Sequence, residues 1–144
     1  MSFFKQQISY QEPTNFINQY KQIGEEFCKV YYENMMKNGL NGVSHLYCPN
    51  ICITFLDDEC SQLIALNQKF QNLGIARFNY SHISGIVQPI GNDNIVINVT
   101  GHCASVGING MCSEWTRFSE TFILARYNDT NLWAIRQQLY KLVI

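Results

Sequence analysis

Apolar residues recur at three- and four-residue steps from Phe16 through Tyr20, Ile23, Phe27, Val30 or Tyr31 to Met35, with Lys21, Glu25, Lys29 and Glu33 on the opposite face. A period near 3.6 with charge opposite the apolar stripe predicts an amphipathic helix from Pro13. Glu25 with Lys29 and Glu33 with Lys37 stand at the supporting i,i+4 spacing, and Asn38-Gly39 ends the run. Residues 1–12 show no period and read as an N-terminal arm ahead of one domain, 13–144. A short helix of about 41–47 presents Val43, Leu46 and Tyr47 and is stopped by Pro49. Ile51 to Phe55 reads as a strand and Asp57-Asp58-Glu59 as a polar turn. A third helix follows, capped by Ser61, with Leu63, Leu66, Phe70 and Leu73 on one stripe and Gly74 just past its end.

After Gly74 the residues are those of strands: about 77–89 and 95–106, with turns at 91–94 and 107–110, then runs over 117–127 and 132–142. Asn128-Asp129-Thr130-Asn131 between the last two suits a tight turn, so they form a β-hairpin. In the first run, one face carries Phe118, Glu120, Phe122, Leu124 and Arg126, the other Ser119, Thr121, Ile123 and Ala125. Neither face is cleanly polar, so both are expected to meet protein: helices on one side, a partner subunit on the other. Arg117, Glu120, Phe122 and Arg126 are accordingly the expected dimer surface. Helices first and antiparallel strands after predict an α+β domain with the helices on one face of a curved sheet.

At 144 residues the chain can bury roughly 70% of its unfolded surface and needs no staple. Charged residues are only 15%, below the ~25% of an average soluble domain, which marks part of the surface as an interface. A net charge of −1 offers no basic footprint for phosphate backbones, so direct nucleic-acid binding is not expected. No apolar run approaches the ~20 residues of a membrane span, and residues 1–20 lack a signal-peptide layout. The expectation is an intracellular protein with six reduced cysteines.

Candidate chemistry is sparse. Cys48, Cys52 and Cys60 with His102-Cys103 lack the second pair of a zinc signature and read as structural thiols, with no metal or cofactor expected. His45, His82 and His102 read as surface or interface histidines; His102 shares a face with Val96, Asn98, Thr100 and Ala104. Glu120 between Phe118 and Phe122 is a candidate acid if buried, although an ion pair with Arg126 or Arg117 is the preferred reading. Asp57, Asp58 and Glu59 beside an exposed Phe55 could bind a basic partner.

These elements in this order resemble the nuclear transport factor 2-like superfamily over Tyr20 to Ile144, and within it the small mRNA-export cofactors. The resemblance rests on Glu25-Glu26-Phe27-x-x-Val30-Tyr31-Tyr32-x-x-Met35, on Thr54-Phe55 where the family has Thr-Trp, and on Phe118-Ser-Glu-Thr-Phe122-Ile-Leu124 followed by Trp133-Ala-Ile135 and Tyr140-Lys141-Leu142. It implies a cone-shaped α+β fold, three N-terminal helices packed on a strongly curved antiparallel sheet whose open face dimerises. It also implies a non-enzymatic adaptor of mRNA export, at the nuclear pore and in nucleus and cytoplasm. Such an adaptor pairs with a larger export receptor or with itself and contacts phenylalanine-glycine nucleoporins, here at Tyr20. Ran-carrying members place a Glu where this chain has Leu56 and acids where it has Gly107 to Gly110. Weak or no Ran-GDP binding is therefore expected, and a Ran-GDP import carrier is the alternative. The family's Asp-x-Phe-Arg appears as Gln138-Leu-Tyr140-Lys141. Enzymatic relatives line the cone with Asp and His, and no such pair is evident here; an isomerase or dehydratase using the cone is the second alternative.

Overall fold

The structure, a computed structural model, describes residues 12–126 and 132–143. The expected arm, save residue 12, and the expected turn at 128–131 lie outside the described residues. Helix α1 spans Glu12–Asn38, followed by a one-turn α2 at Leu40–Val43 and a 3-10 turn at Ser44–Leu46. Strands β1 (Tyr47–Phe55) and β2 (Asp58–Cys60) form a hairpin, α3 covers Leu63–Asn72, and four long strands follow: β3 (Ile75–Ile90), β4 (Asn94–Gly107), β5 (Thr116–Arg126) and β6 (Trp133–Val143).

Two local expectations are corrected. Ser61 does not cap α3: Gln62 occupies that position with extended backbone and no side-chain cap bond. Pro49 does not merely end a helix but lies inside β1. The β1–β6 register shifts between Tyr47 and Cys52, so the missing N–H falls where the ladder is already irregular.

The six strands form one curled sheet in the order β2-β1-β6-β5-β4-β3. It is mixed rather than antiparallel, because β6 runs parallel to β1 while every other pair is antiparallel. A parallel neighbour needs a long crossover, and the whole stretch from β2 to β5 supplies it.

Strand alternation then sorts the residues. Ile53, Phe55, Phe78, Ile95, Ile97, Val99, Phe118, Phe122, Leu124, Ile135 and Tyr140 point inward and join Phe27, Tyr31, Tyr32 and Met35 of α1 in one buried cluster. Helix α1 lies close against β3. A β-carbon on Gly24 would come within 2.6 Å of both Val87 methyls, so Gly24 is what permits this approach. The opposite sheet face carries Ile86, Asn98, Thr121, Ile123 and Leu139, with Ile86 and Leu139 open to solvent.

Candidate functional site

The interior of the cone is a polar knot inside an aromatic shell. Glu120 of β5 is 3% exposed and Gln138 of β6 is likewise buried. The Tyr32 hydroxyl donates to Glu120 Oε1 at 2.9 Å, and Gln138 Nε2 donates to Glu120 Oε2 at 2.6 Å. The same amide donates to Tyr31 Oη at 2.9 Å and accepts at Oε1 from Tyr47 Oη at 2.6 Å. Burial pushes the Glu120 carboxyl up to about 7, against the lowering effect of the Gln138 and Tyr32 hydrogen bonds. The hydroxyls of Tyr31, Tyr32 and Tyr80 are raised by burial first and by the nearby Glu120 charge second or third.

This knot could donate or accept a proton, and little space is left beside it among the described residues. The cavity bordered by Glu120, Gln138, Tyr31, Phe78, Tyr80 and Tyr140 holds about 10 Å³, the space of at most one water. Phe55 stacks on Tyr140 with centroids 4.9 Å apart, and Phe70, Phe78 and Phe118 close around them.

A pocket does open at the end of the cone. It encloses about 130 Å³ between Phe55, Leu56, Phe78, Cys103, Thr116 and Leu142, room for one apolar side chain. Leu56 sits in the β1–β2 turn at φ +60°, a conformation non-glycine residues rarely adopt, and its N–H donates to Tyr140 O at 2.9 Å. The connection from β4 to β5 flanks the pocket through Ser113 and Thr116. Around them Ile108, Met111 and Trp115 are 67%, 71% and 54% exposed, an unusual run of large apolar residues for a free surface. A wider groove of about 720 Å³ runs along α1 between apolar Ile23, Phe27, Leu46 and Trp133 and polar Gln22, Glu25, Glu26 and Lys29.

The expected site residues are dispersed by this geometry. Tyr20 is buried in the core cluster rather than exposed to a partner's ring, and among the described residues Val87 fills the space beside Gly24. Phe55 is 5% exposed and forms the pocket floor rather than an exposed aromatic. Asp57 is exposed at the turn, and Asp58 pairs with Lys69. Glu120 and Phe122 face α1, where Phe122 meets Phe27 and Tyr31 edge-on, so they belong to the core and not to a dimer surface. Arg126 pairs with Asp93 at 3.2 Å rather than with Glu120. Arg117 alone of the four is exposed on the open face. Sequence reasoning missed the Tyr32–Glu120–Gln138–Tyr47 network. Its signal was Gln138 itself, a polar residue between Ile135 and Tyr140 in a strand that is otherwise apolar on its inner face.

The sequence matches the nuclear transport factor 2 (NTF2) domain family over residues 23–138. Among curated proteins no sequence matches significantly. Among solved structures, nuclear transport factor 2 from Cryptosporidium parvum is similar at 26% identity and TM-score 0.70, covering 87% of this chain and 95% of its own. A candidate dehydratase of the NTF2-like family from Streptomyces avermitilis shares 15% identity with TM-score 0.69, over 89% and 98%. Yeast UBP3-associated protein BRE5 shares 17% with TM-score 0.63, over 85% and 95%. With its family match running from within α1 to β6, the chain belongs to the nuclear transport factor 2 (NTF2) domain family.

Proposed function

We propose that this chain is a protein-binding adaptor of nucleocytoplasmic transport rather than an enzyme, pairing through its open sheet face with a second NTF2-like domain, its own or a larger export receptor's. The carrying observation is the interior: a cone used for small-molecule chemistry must admit a substrate, and about 10 Å³ beside Glu120 admits none. The 26% identity with the Cryptosporidium factor supports the transport reading. Exposed Ile86 and Leu139 on the open face support pairing. The pocket at the cone's end takes one apolar side chain of a further partner, with Asp57 at its edge available to a basic residue. Contact with phenylalanine-glycine nucleoporins would fall there and not at buried Tyr20.

One observation favours the dehydratase or isomerase reading, namely a buried carboxyl raised to about 7, the range a general acid or base requires. The same test separates the two. Sedimentation equilibrium should show a dimer, or a 1:1 complex with an NTF2-like chain purified alongside it, and Leu139→Glu should abolish either while leaving the fold intact. A chain that stays monomeric without such a complex, and that binds a carbonyl compound whose binding Glu120→Gln abolishes, would overturn the adaptor reading.

A further inference from the structure

At one end of the open face, a cavity of about 370 Å³ lies between His82, Thr100, Gly101, His102, Arg117, Phe118 and Val143. Its shape comes from a β-bulge. Between the pairs Ser81↔His102 and Ser84↔Thr100, β3 has one residue more than β4, so His82 and Ile83 together face Gly101. His82 takes φ +55°, in the left-handed region that a non-glycine residue occupies only under constraint. A β-carbon at Gly101 would come within 2.8 Å of Ile83 Cδ1 and 3.1 Å of His82 O, so glycine is what lets the bulge close over β4. The result turns the His82 ring edge-on to His102, with centroids 5.3 Å apart. His102 stands directly opposite Arg117 on β5, on one face of the sheet, where facing side chains are about 5 Å apart.

His82 Nδ1 lies 3.1 Å from Ser81 Oγ, while the donors of His102 and Arg117 meet no acceptor among the described residues. His102 Nδ1 is buried without a hydrogen-bond partner among the described residues. Among the described residues no carboxylate pairs with Arg117. Among the described residues no acid lines the cavity, and the one acid that strand alternation places on the open face is Glu59, on β2 at the far edge of the sheet. A metal ion does not suit two imidazoles beside a guanidinium. An anion does, because imidazole, guanidinium and the Thr100 hydroxyl are all able to donate.

We propose that His82, Thr100, His102 and Arg117 form a binding site for a phosphate-type oxyanion, borne by a small phosphorylated molecule or a phosphorylated side chain. Donors arrive from three strands, β3, β4 and β5. That spread matches the several faces of a tetrahedral anion, whereas a planar carboxylate would be satisfied by the Arg117 fork alone.

The test is titration of the full chain with inorganic phosphate at constant ionic strength, following the imidazole resonances by NMR and affinity by calorimetry. Phosphate should shift the His82 and His102 signals saturably, and sodium chloride at matched ionic strength should not. Arg117→Gln should weaken phosphate at least about tenfold, the loss of one charge-assisted hydrogen bond, while Arg117→Lys should keep part of the affinity. Arg136→Gln, which alters an exposed arginine outside the cavity, should leave it unchanged. Displacement of phosphate by glycerol phosphate or by a phosphoserine peptide then identifies the source. Absence of saturation, an equal response to chloride, acetate binding as tightly as phosphate, or unchanged affinity in Arg117→Gln would each overturn the assignment.

Discussion

The buried carboxyl of Glu120 makes stability depend on pH in a direction opposite to that of most acidic residues. A carboxyl raised from 4.5 to about 7 in the folded state binds its proton more tightly there than in the unfolded chain. The contribution is therefore fully present below the unfolded value and is lost as pH rises through about 7. At ~1.36 kcal/mol per pH unit, the displacement from 4.5 to about 7 is worth roughly 3 kcal/mol. For a chain of this size that is a fall in Tm of about 6–12 °C between about pH 4.5 and 8.5. Glu120→Gln isolates the effect. Its amide oxygen can keep the bond from Gln138 Nε2, while its NH2 faces the Tyr32 hydroxyl, which turns from donor to acceptor. Urea unfolding of both proteins across this range is the assay, and the wild-type curve should converge on that of the variant at low pH and fall below it at high pH. An identical pH slope in the two proteins, or a wild type no less stable in alkali, would refute the reasoning by showing that Glu120 is solvated or ionised in the native state.

Phe122→Ala should cost about 3–5 kcal/mol in urea unfolding, because the ring is fully buried against Phe27 and Tyr31 and the helix above cannot collapse onto the gap. Gly24→Ala should cost about 1–3 kcal/mol by forcing α1 away from Val87, although alanine is the better helix former. Asp58→Ala should change stability by less than about 1 kcal/mol, since its ion pair with Lys69 is solvent-exposed. Calorimetry with Ran-GDP should detect weak binding or none, because the positions of the family's acids are Leu56 and Gly107 to Gly110. Micromolar affinity lost in Asp57→Ala would show that the exposed turn acid substitutes for them.

The elements themselves were legible because each carries its own period. The 3.6-residue stripe of α1 and the alternation of β4 and β5 are set by which side chains must be buried, and that requirement is local in sequence. Partner choice is not local. On sequence, Glu120 had Arg126 on its strand face, yet six residues of strand separate them by ~20 Å. The groups that reach it come from α1 and β6. Phe55 read as exposed because nothing in β1 says that β6 will run parallel beside it and bring Tyr140 against its ring. Tyr20 read as a contact for a partner's ring because nothing in α1 says that β3 will pack against it and bring Val87 to Gly24. The cavity at His82 was invisible for the same reason: it depends on one extra residue in β3, and no pattern of residue types announces a bulge.

The two ends of the molecule divide its chemistry in a way that follows from packing. Inside, aromatic rings leave about 10 Å³ beside Glu120, and Tyr32 and Gln138 are the donors that satisfy its buried carboxyl. Each bond of that network joins different elements: Tyr32 ties α1 to β5, Gln138 ties β6 to both, and Tyr47 ties the start of β1 to β6. Fully satisfied, the network fixes how the helix lies on the sheet, which an interior of interchangeable apolar side chains would define less sharply. The surface, by contrast, leaves its opportunities open: an apolar pocket at Phe55 and Leu142, a sheet face with exposed Ile86 and Leu139, and donors of His102 and Arg117 that meet no acceptor among the described residues. The aromatic filling of the interior is thus what keeps that exterior in shape.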